Sequence, residues 1–153
     1  MYTTYKISNS AINKFKHTPV MAQAVIEHTV TSEAGLYLDC TVGLGGHASM
    51  ILESSPCSRL IGIDIDPQAI ELATENLKPY GDRVILFNGN FAELDYIMDR
   101  LGIDEKFDGI IMDLGVSSMQ LDSPERGFSF KNDGPSDMRM DQTKGDPIYL
   151  DLE

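Results

Sequence analysis

Short apolar runs, three of which close on an acidic side chain, alternate with stretches of helical period along residues 36–113. Leu36-Tyr37-Leu38-Asp39-Cys40, Leu60-Ile61-Gly62-Ile63, Arg83-Val84-Ile85-Leu86-Phe87 and Phe107-Asp108-Gly109-Ile110-Ile111-Met112 read as buried strands. Between them lie helical segments. Thr18-Pro19 is an N-cap followed by proline at the first helical position, opening a helix to about Val30. A second helix covers His47 to Leu52. Asp66-Pro67 starts a third, with Ile70, Ala73 and Leu77 at helical spacing, and Lys78-Pro79-Tyr80-Gly81-Asp82 stops it. Ala92 to Leu101 is a fourth, with Leu94, Ile97, Met98 and Leu101 on one face and Gly102 as its stop. Strand–helix alternation of this kind demands right-handed crossovers and a parallel sheet, so the fold class is α/β. Residues 1–16 read as an irregular arm and residues 17–113 as the α/β domain. Residues 114–153 form a long segment rich in Gly, Pro, Ser and Asp, without period.

Composition narrows the setting. Hydrophobic residues make up 42% and there are two cysteines, which excludes disordered and disulfide-scaffold classes. No apolar run approaches the ~18 residues needed to cross a bilayer, and the N-terminus lacks a basic region followed by an apolar one. A cytoplasmic chain without membrane partners is expected. Twelve basic against 24 acidic side chains give a net charge of −12, all of it within residues 60–153. Such an acidic half does not grip nucleic acid by phosphate neutralisation alone, although reading one base in a pocket needs few charges.

Ligands of open parallel sheets bind outside the carboxyl ends of the strands, where Asp39, Asp64 and Asp113 fall. The loop after the first strand, Gly43-Leu44-Gly45-Gly46-His47-Ala48, fits a loose glycine-rich cofactor pattern, and Asp64 follows Gly43 by 21 residues, the offset of an acid that holds ribose hydroxyls. An adenosine-type cofactor is implied. A dinucleotide would set its pyrophosphate at this turn, against Asp39, at a cost of about several kcal/mol at an intermediate dielectric. S-adenosylmethionine instead offers an ammonium and a sulfonium, which suit an acidic mouth. Asp113 is placed to accept a hydrogen bond from an exocyclic amine and orient its lone pair, or equally to cap a turn. His47 either donates to the cofactor carboxylate or simply starts a helix. Cys40 and Cys57 lack metal spacing, and no metal ligand set can be assembled.

Longer motifs carry a resemblance. They are His17-Thr18-Pro19-Val20, Asp39-Cys-Thr41-Val-Gly43-Leu-Gly45-Gly46-His47 and Gly62-Ile-Asp64-Ile-Asp66-Pro67. Asp113-Leu-Gly-Val-Ser117-Ser118-Met-Gln120-Leu-Asp122, Arg126-Gly-Phe128-Ser-Phe130 and Asp133-Gly134-Pro135-Ser-Asp137-Met138-Arg139-Met140-Asp141 follow in order. Across residues 16–142 the chain resembles the MraW/RsmH family, S-adenosylmethionine-dependent methyltransferases of N4 of a cytidine in small-subunit ribosomal RNA. The resemblance implies a Rossmann-like class I methyltransferase fold. It also implies that Gly45, Gly46 and His47 line the methionine end, Asp64 holds the ribose, Phe91 packs on the adenine, and Asp113 and Gln120 complete the pocket. Asp113 would be catalytic, with Ser117 or Ser118 assisting.

The family is about twice as long, with further strands and an inserted helical domain. The chain is therefore expected to be an N-terminal part with about four strands of a larger sheet, binding cofactor weakly and not turning over alone. No aromatic follows Asp113, so Phe128 or Phe130 either stacks on the target base or anchors the long loop. Arg139 either meets RNA phosphate or forms an internal ion pair. Two other readings stand beside the methyltransferase: an NAD-linked oxidoreductase on the same glycine loop, and a non-catalytic cofactor-binding module. Nothing in the sequence sets the oligomeric state.

Overall fold

The structure, a computed structural model, describes Pro19 and residues 21–151. The expected arm, His17, the Thr18 cap and Val20 lie outside the described residues. Four strands, β1 (Leu36–Asp39), β2 (Arg59–Asp64), β3 (Val84–Asn88) and β4 (Gly109–Ile111), make one sheet in the order β3-β2-β1-β4. All three pairings are parallel, with Asp39 opposite Gly62 on one side and Ile111 on the other. The chain steps outward from β1 through β2 to β3, then crosses back to place β4 on the far side of β1. That reversal makes the β1/β4 boundary the switch point, the position at which open parallel sheets take their ligands.

Helices α1 (Ala22–Thr29), α2 (Gly46–Ser54), α3 (Pro67–Leu77) and α4 (Leu94–Leu101) supply the two covering layers. On one face Tyr37, Leu60 and Ile111 pack with Ile26 of α1, Met50 and Ile51 of α2, and Ala73 and Leu77 of α3. On the other, Leu36, Leu38, Cys40, Ile61 and Ile63 meet Ile97 of α4, with Leu94, Met98 and Leu101 partly buried around it. Alternate residues of each strand thus feed opposite cores, the period-2 rule that makes these strands apolar throughout. The face over α4 gives out at the β4 edge, where Ile110 is 52% exposed.

Local chemistry fixes the ends. Asp66 caps α3 by accepting from the Gln68 N–H at 3.0 Å, with Pro67 at the first position. Gly102 ends α4 in the left-handed region at φ 66. Several boundaries differ from expectation, among them the starts of α1 and β4. Helix α1 begins at Ala22 after Met21 at φ 51. Strand β4 begins at Gly109, not Phe107, because its partner β1 starts at Leu36: Asp108 accepts the Leu36 N–H on its side chain and donates its own N–H to the Leu36 carbonyl.

Residues from Leu114 onward form a second unit. It holds a short helix, α5 (Ser118–Asp122), and single turns at Pro124–Arg126 and Ile148–Asp151. Arg126 is buried at its centre, donating to the Met140 carbonyl at 2.7 Å. A Cβ on Gly127 would lie 2.4 Å from the Pro135 carbonyl oxygen, and one on Gly134 2.0 Å from that of Pro124, so the backbone is clasped tightly there.

Candidate functional site

The glycine loop turns from β1 into α2 and is fastened on three sides. The Val42 N–H donates to the Ile63 carbonyl at 2.9 Å. Gly43 N–H donates to Asp64 Oδ2 at 2.8 Å, and Asn76 of α3 donates to the Leu44 carbonyl at 3.0 Å. Gly43 and Gly45 take φ 52 and φ 87, conformations that side chains other than glycine adopt at a cost. Gly45 precedes α2 directly, and its missing Cβ would meet Leu77 Cγ at 2.8 Å. The missing Cβ of Gly46 would meet Pro19 Cγ at 2.6 Å. These two glycines therefore let α2 begin hard against α3 and the entering chain. His47 sits in the first turn of α2 and is buried.

Asp64 ends β2 and organises the neighbouring turns. Its second oxygen accepts from the Asp66 N–H at 2.9 Å, and Asn88 at the end of β3 donates to the Asp64 carbonyl at 2.9 Å. Burial pushes the Asp64 carboxyl up, and the Asp66 and Gly43 N–H bonds oppose this. A carboxylate oxygen has two lone-pair sites, so each of these oxygens keeps a site for a ligand hydroxyl. Phe91 lies beyond β3 in the single turn Phe91–Glu93, about one-third exposed, behind an Asn90 cap.

Asp39 is buried at the end of β1. One oxygen accepts from the Thr41 N–H at 3.1 Å, while the other is buried with no hydrogen-bond partner among the described residues. Its pKa is pushed up to about 7, first by burial and then by Asp64 and Asp113, against the Thr41 bond. Asp113 follows β4, and its N–H donates to Thr41 Oγ1 at 2.8 Å, tying the β4 exit to the loop after β1. The Asp113 carboxylate is exposed and has no hydrogen bond among the described residues, so it caps no turn. The three carboxylates thus interact around one crevice. An unpartnered buried oxygen in an anionic setting fits a cationic ligand group.

Asp39 modifies one expectation. Near neutral pH it holds its proton much of the time, so its repulsion of a pyrophosphate is weaker than a full carboxylate's. Among the described residues no group of three or more His, Cys, Asp or Glu side chains is arranged to hold a metal.

Ser117, Ser118 and Gln120 lie in the second unit. Ser117 caps α5, its hydroxyl accepting from the Gln120 N–H at 3.2 Å while Gln120 Oε1 accepts the Ser117 N–H at 2.9 Å. This capping box was legible as Ser-x-x-Gln and was not read as a helix start. Phe128 is half-buried, whereas Phe130 is fully exposed. Arg139 settles as an internal partner of Asp137, with two bonds of 2.8 and 2.7 Å. Residues overlooked in the sequence are Thr41, Asn76 and Asn88. Asn88 carried a signal, a polar residue closing an apolar strand like the three acids.

A parallel sheet with this order, a glycine loop after its first strand and an acid after its second define a Rossmann-like methyltransferase fold. Solved structures agree on the fold. The C-terminal domain of precorrin-6Y C5,15-methyltransferase from Rhodobacter capsulatus matches with TM-score 0.53 and 17% identity, over 72% of this chain and 58% of that one. A putative rRNA-methylase from Clostridium thermocellum matches with TM-score 0.51 and 22% identity, over 62% and 49%. The chain belongs to the MraW methylase family, which matches residues 14–147. Ribosomal RNA small subunit methyltransferase H of Symbiobacterium thermophilum is 50% identical over 131 residues, 85% of this chain and 41% of that protein. Its counterpart from Cyanothece is 52% identical over 129 residues, 84% and 42%. The chain spans about two-fifths of the length of these relatives. Family and fold support S-adenosyl-L-methionine as cofactor and set aside the NAD-linked oxidoreductase. No helix among the described residues is long and apolar enough to cross a membrane.

Proposed function

We propose that this chain is the cofactor-binding part of an enzyme that methylates small-subunit ribosomal RNA, at N4 of a cytidine. The observation that carries the reading is the acid cluster at the β1/β4 switch point, where the buried, half-partnered Asp39 is acted on by Asp64 and Asp113. When bound, S-adenosylmethionine supplies an electrophilic methyl carbon. Gly45, Gly46 and His47 hold its methionine end, Asp64 its ribose, and Phe91 its adenine. Asp113, free of any capping bond, accepts from the cytosine amino group and turns the nitrogen lone pair outward, catalysis by positioning. The cap bonds of Ser117 and Gln120 add support to α5.

With only eight basic side chains against twenty acidic ones in residues 60–153, the chain binds cofactor without turning over by itself. The test has two arms. S-adenosylhomocysteine raises the melting temperature of the chain and NAD does not; the reverse refutes the cofactor reading. In the longer S. thermophilum relative, the substitution equivalent to Asp113→Ala abolishes methylation of small ribosomal subunits while cofactor still binds. Retained methylation refutes the catalytic assignment.

A further inference from the structure

Asp39 is the one acid of the crevice whose side chain is only half satisfied. It is 1% exposed, and among the described residues it receives a single N–H bond, from Thr41, while its other oxygen is buried without a partner. The charged groups acting on it are themselves anionic: Asp64 from β2 and Asp113 from beyond β4. The Cys40 thiol, directly after β1, is its titratable neighbour along the chain and feels the Asp39 charge in turn. Among the described residues no cation acts on a carboxylate so placed, and a proton is the cheapest counter-charge available.

We propose that the crevice takes up its cofactor by exchange: Asp39 carries a proton in the free protein and gives it up when a positively charged group of the ligand seats against it. The Oδ2–H bond breaks, its electron pair stays on the carboxylate, and the proton leaves to solvent. The ligand's charge then replaces it, so nothing is oxidised or reduced. This rests on the cofactor assignment above and goes beyond it by making binding of the cationic ligand proton-linked. Neutral adenosine derivatives lack that linkage.

Titration calorimetry of the full chain with S-adenosylmethionine, between about pH 5.8 and 7.2 in two buffers of different ionisation enthalpy, tests the exchange. The window stays below the ordinary α-amino range, so the ligand keeps its charge. With the free Asp39 pKa at about 7, affinity rises about tenfold across it, and about 0.9 proton is released at the acid end. Asp39→Asn removes both the slope and the released proton. 5′-Deoxy-5′-methylthioadenosine, which has no positive charge, binds without proton release. Should Asp39→Asn fail to fold, the 13C carboxyl shift of Asp39 in the unaltered chain reads the same event: it titrates near pH 7 when free and is flat over the window in the complex. Binding of S-adenosylmethionine that is independent of pH with no proton release, or equal release by the uncharged analogue, overturns the exchange and leaves the cofactor assignment standing. Absence of S-adenosylmethionine binding at every pH overturns both.

Discussion

Replacing Gly45 by alanine tests whether α2 is wedged against α3. Two costs add. Alanine at φ 87 sits in the left-handed region, at about 1–2 kcal/mol. The new Cβ also lies 2.8 Å from Leu77 Cγ and 2.9 Å from its Cδ1. Leu77 is 2% exposed and packed in the core, so the overpacking costs about a further 1–3 kcal/mol. Alanine's lower unfolded-state entropy returns about 0.4–1 kcal/mol, leaving about 2–4 kcal/mol. Gly102→Ala is the internal standard, because Gly102 has φ 66 but nothing within 4 Å of its Cβ position. It bears the backbone cost alone. Urea unfolding of both variants should show Gly45→Ala less stable than Gly102→Ala by about 1–3 kcal/mol, or about 2–12 °C in melting temperature for a chain of this size. Adding Leu77→Ala to Gly45→Ala should cost less than Leu77→Ala costs in the unaltered chain. Equal stabilities for the two glycine variants, with no coupling to Leu77, would refute the wedge.

The other predictions concern caps and titration. Asp66→Ala deprives the Gln68 N–H of its acceptor and should lower stability by about 1 kcal/mol in the same urea assay. Asp39 has a folded pKa of about 7 against an ordinary 3.8. The folded state therefore holds the proton more tightly, and the associated stability is present below about pH 4 and lost as pH rises through 7. Over that span it amounts to about 4 kcal/mol, so the advantage of Asp39→Asn over the unaltered chain should grow from pH 5 to pH 8. Asp137 runs the other way. The Arg139 guanidinium holds its carboxyl down to about 2, so its contribution is present above about pH 4 and disappears as pH falls towards 2. Arg139→Ala should move acid unfolding to higher pH, followed by circular dichroism.

Much of this architecture was legible because each signal is local. Apolar runs ending in Asp39, Asp64 and Asp113 specify buried strands and aim their acids at one edge of the sheet. Asp66-Pro67 specifies a helix start without reference to anything distant. The sequence could not convey what depends on partners remote along the chain. Strand β4 stops short of Phe107 because β1 begins at Leu36. The state of Asp39 depends on burial and on acids 25 and 74 residues away. In residues 114–151 the cohesion comes from side-chain-to-backbone bonds, as Arg126 makes to Met140 and Arg139 to Gly145, and such bonds impose no period. Asp113 as a turn cap and Arg139 as a phosphate ligand were open alternatives until the hydrogen bonds were known.

Cys40, next to Asp39, is sealed in the core, and burial pushes its thiol up, whereas Cys57 is exposed. A thiol-specific alkylating reagent should therefore label Cys57 at once and reach Cys40 only when the end of the first strand opens. The chain carries its own kinetic reporter beside the crevice, and occupancy by a ligand can be followed as slowed labelling of a single sulfur, without dye or radioisotope.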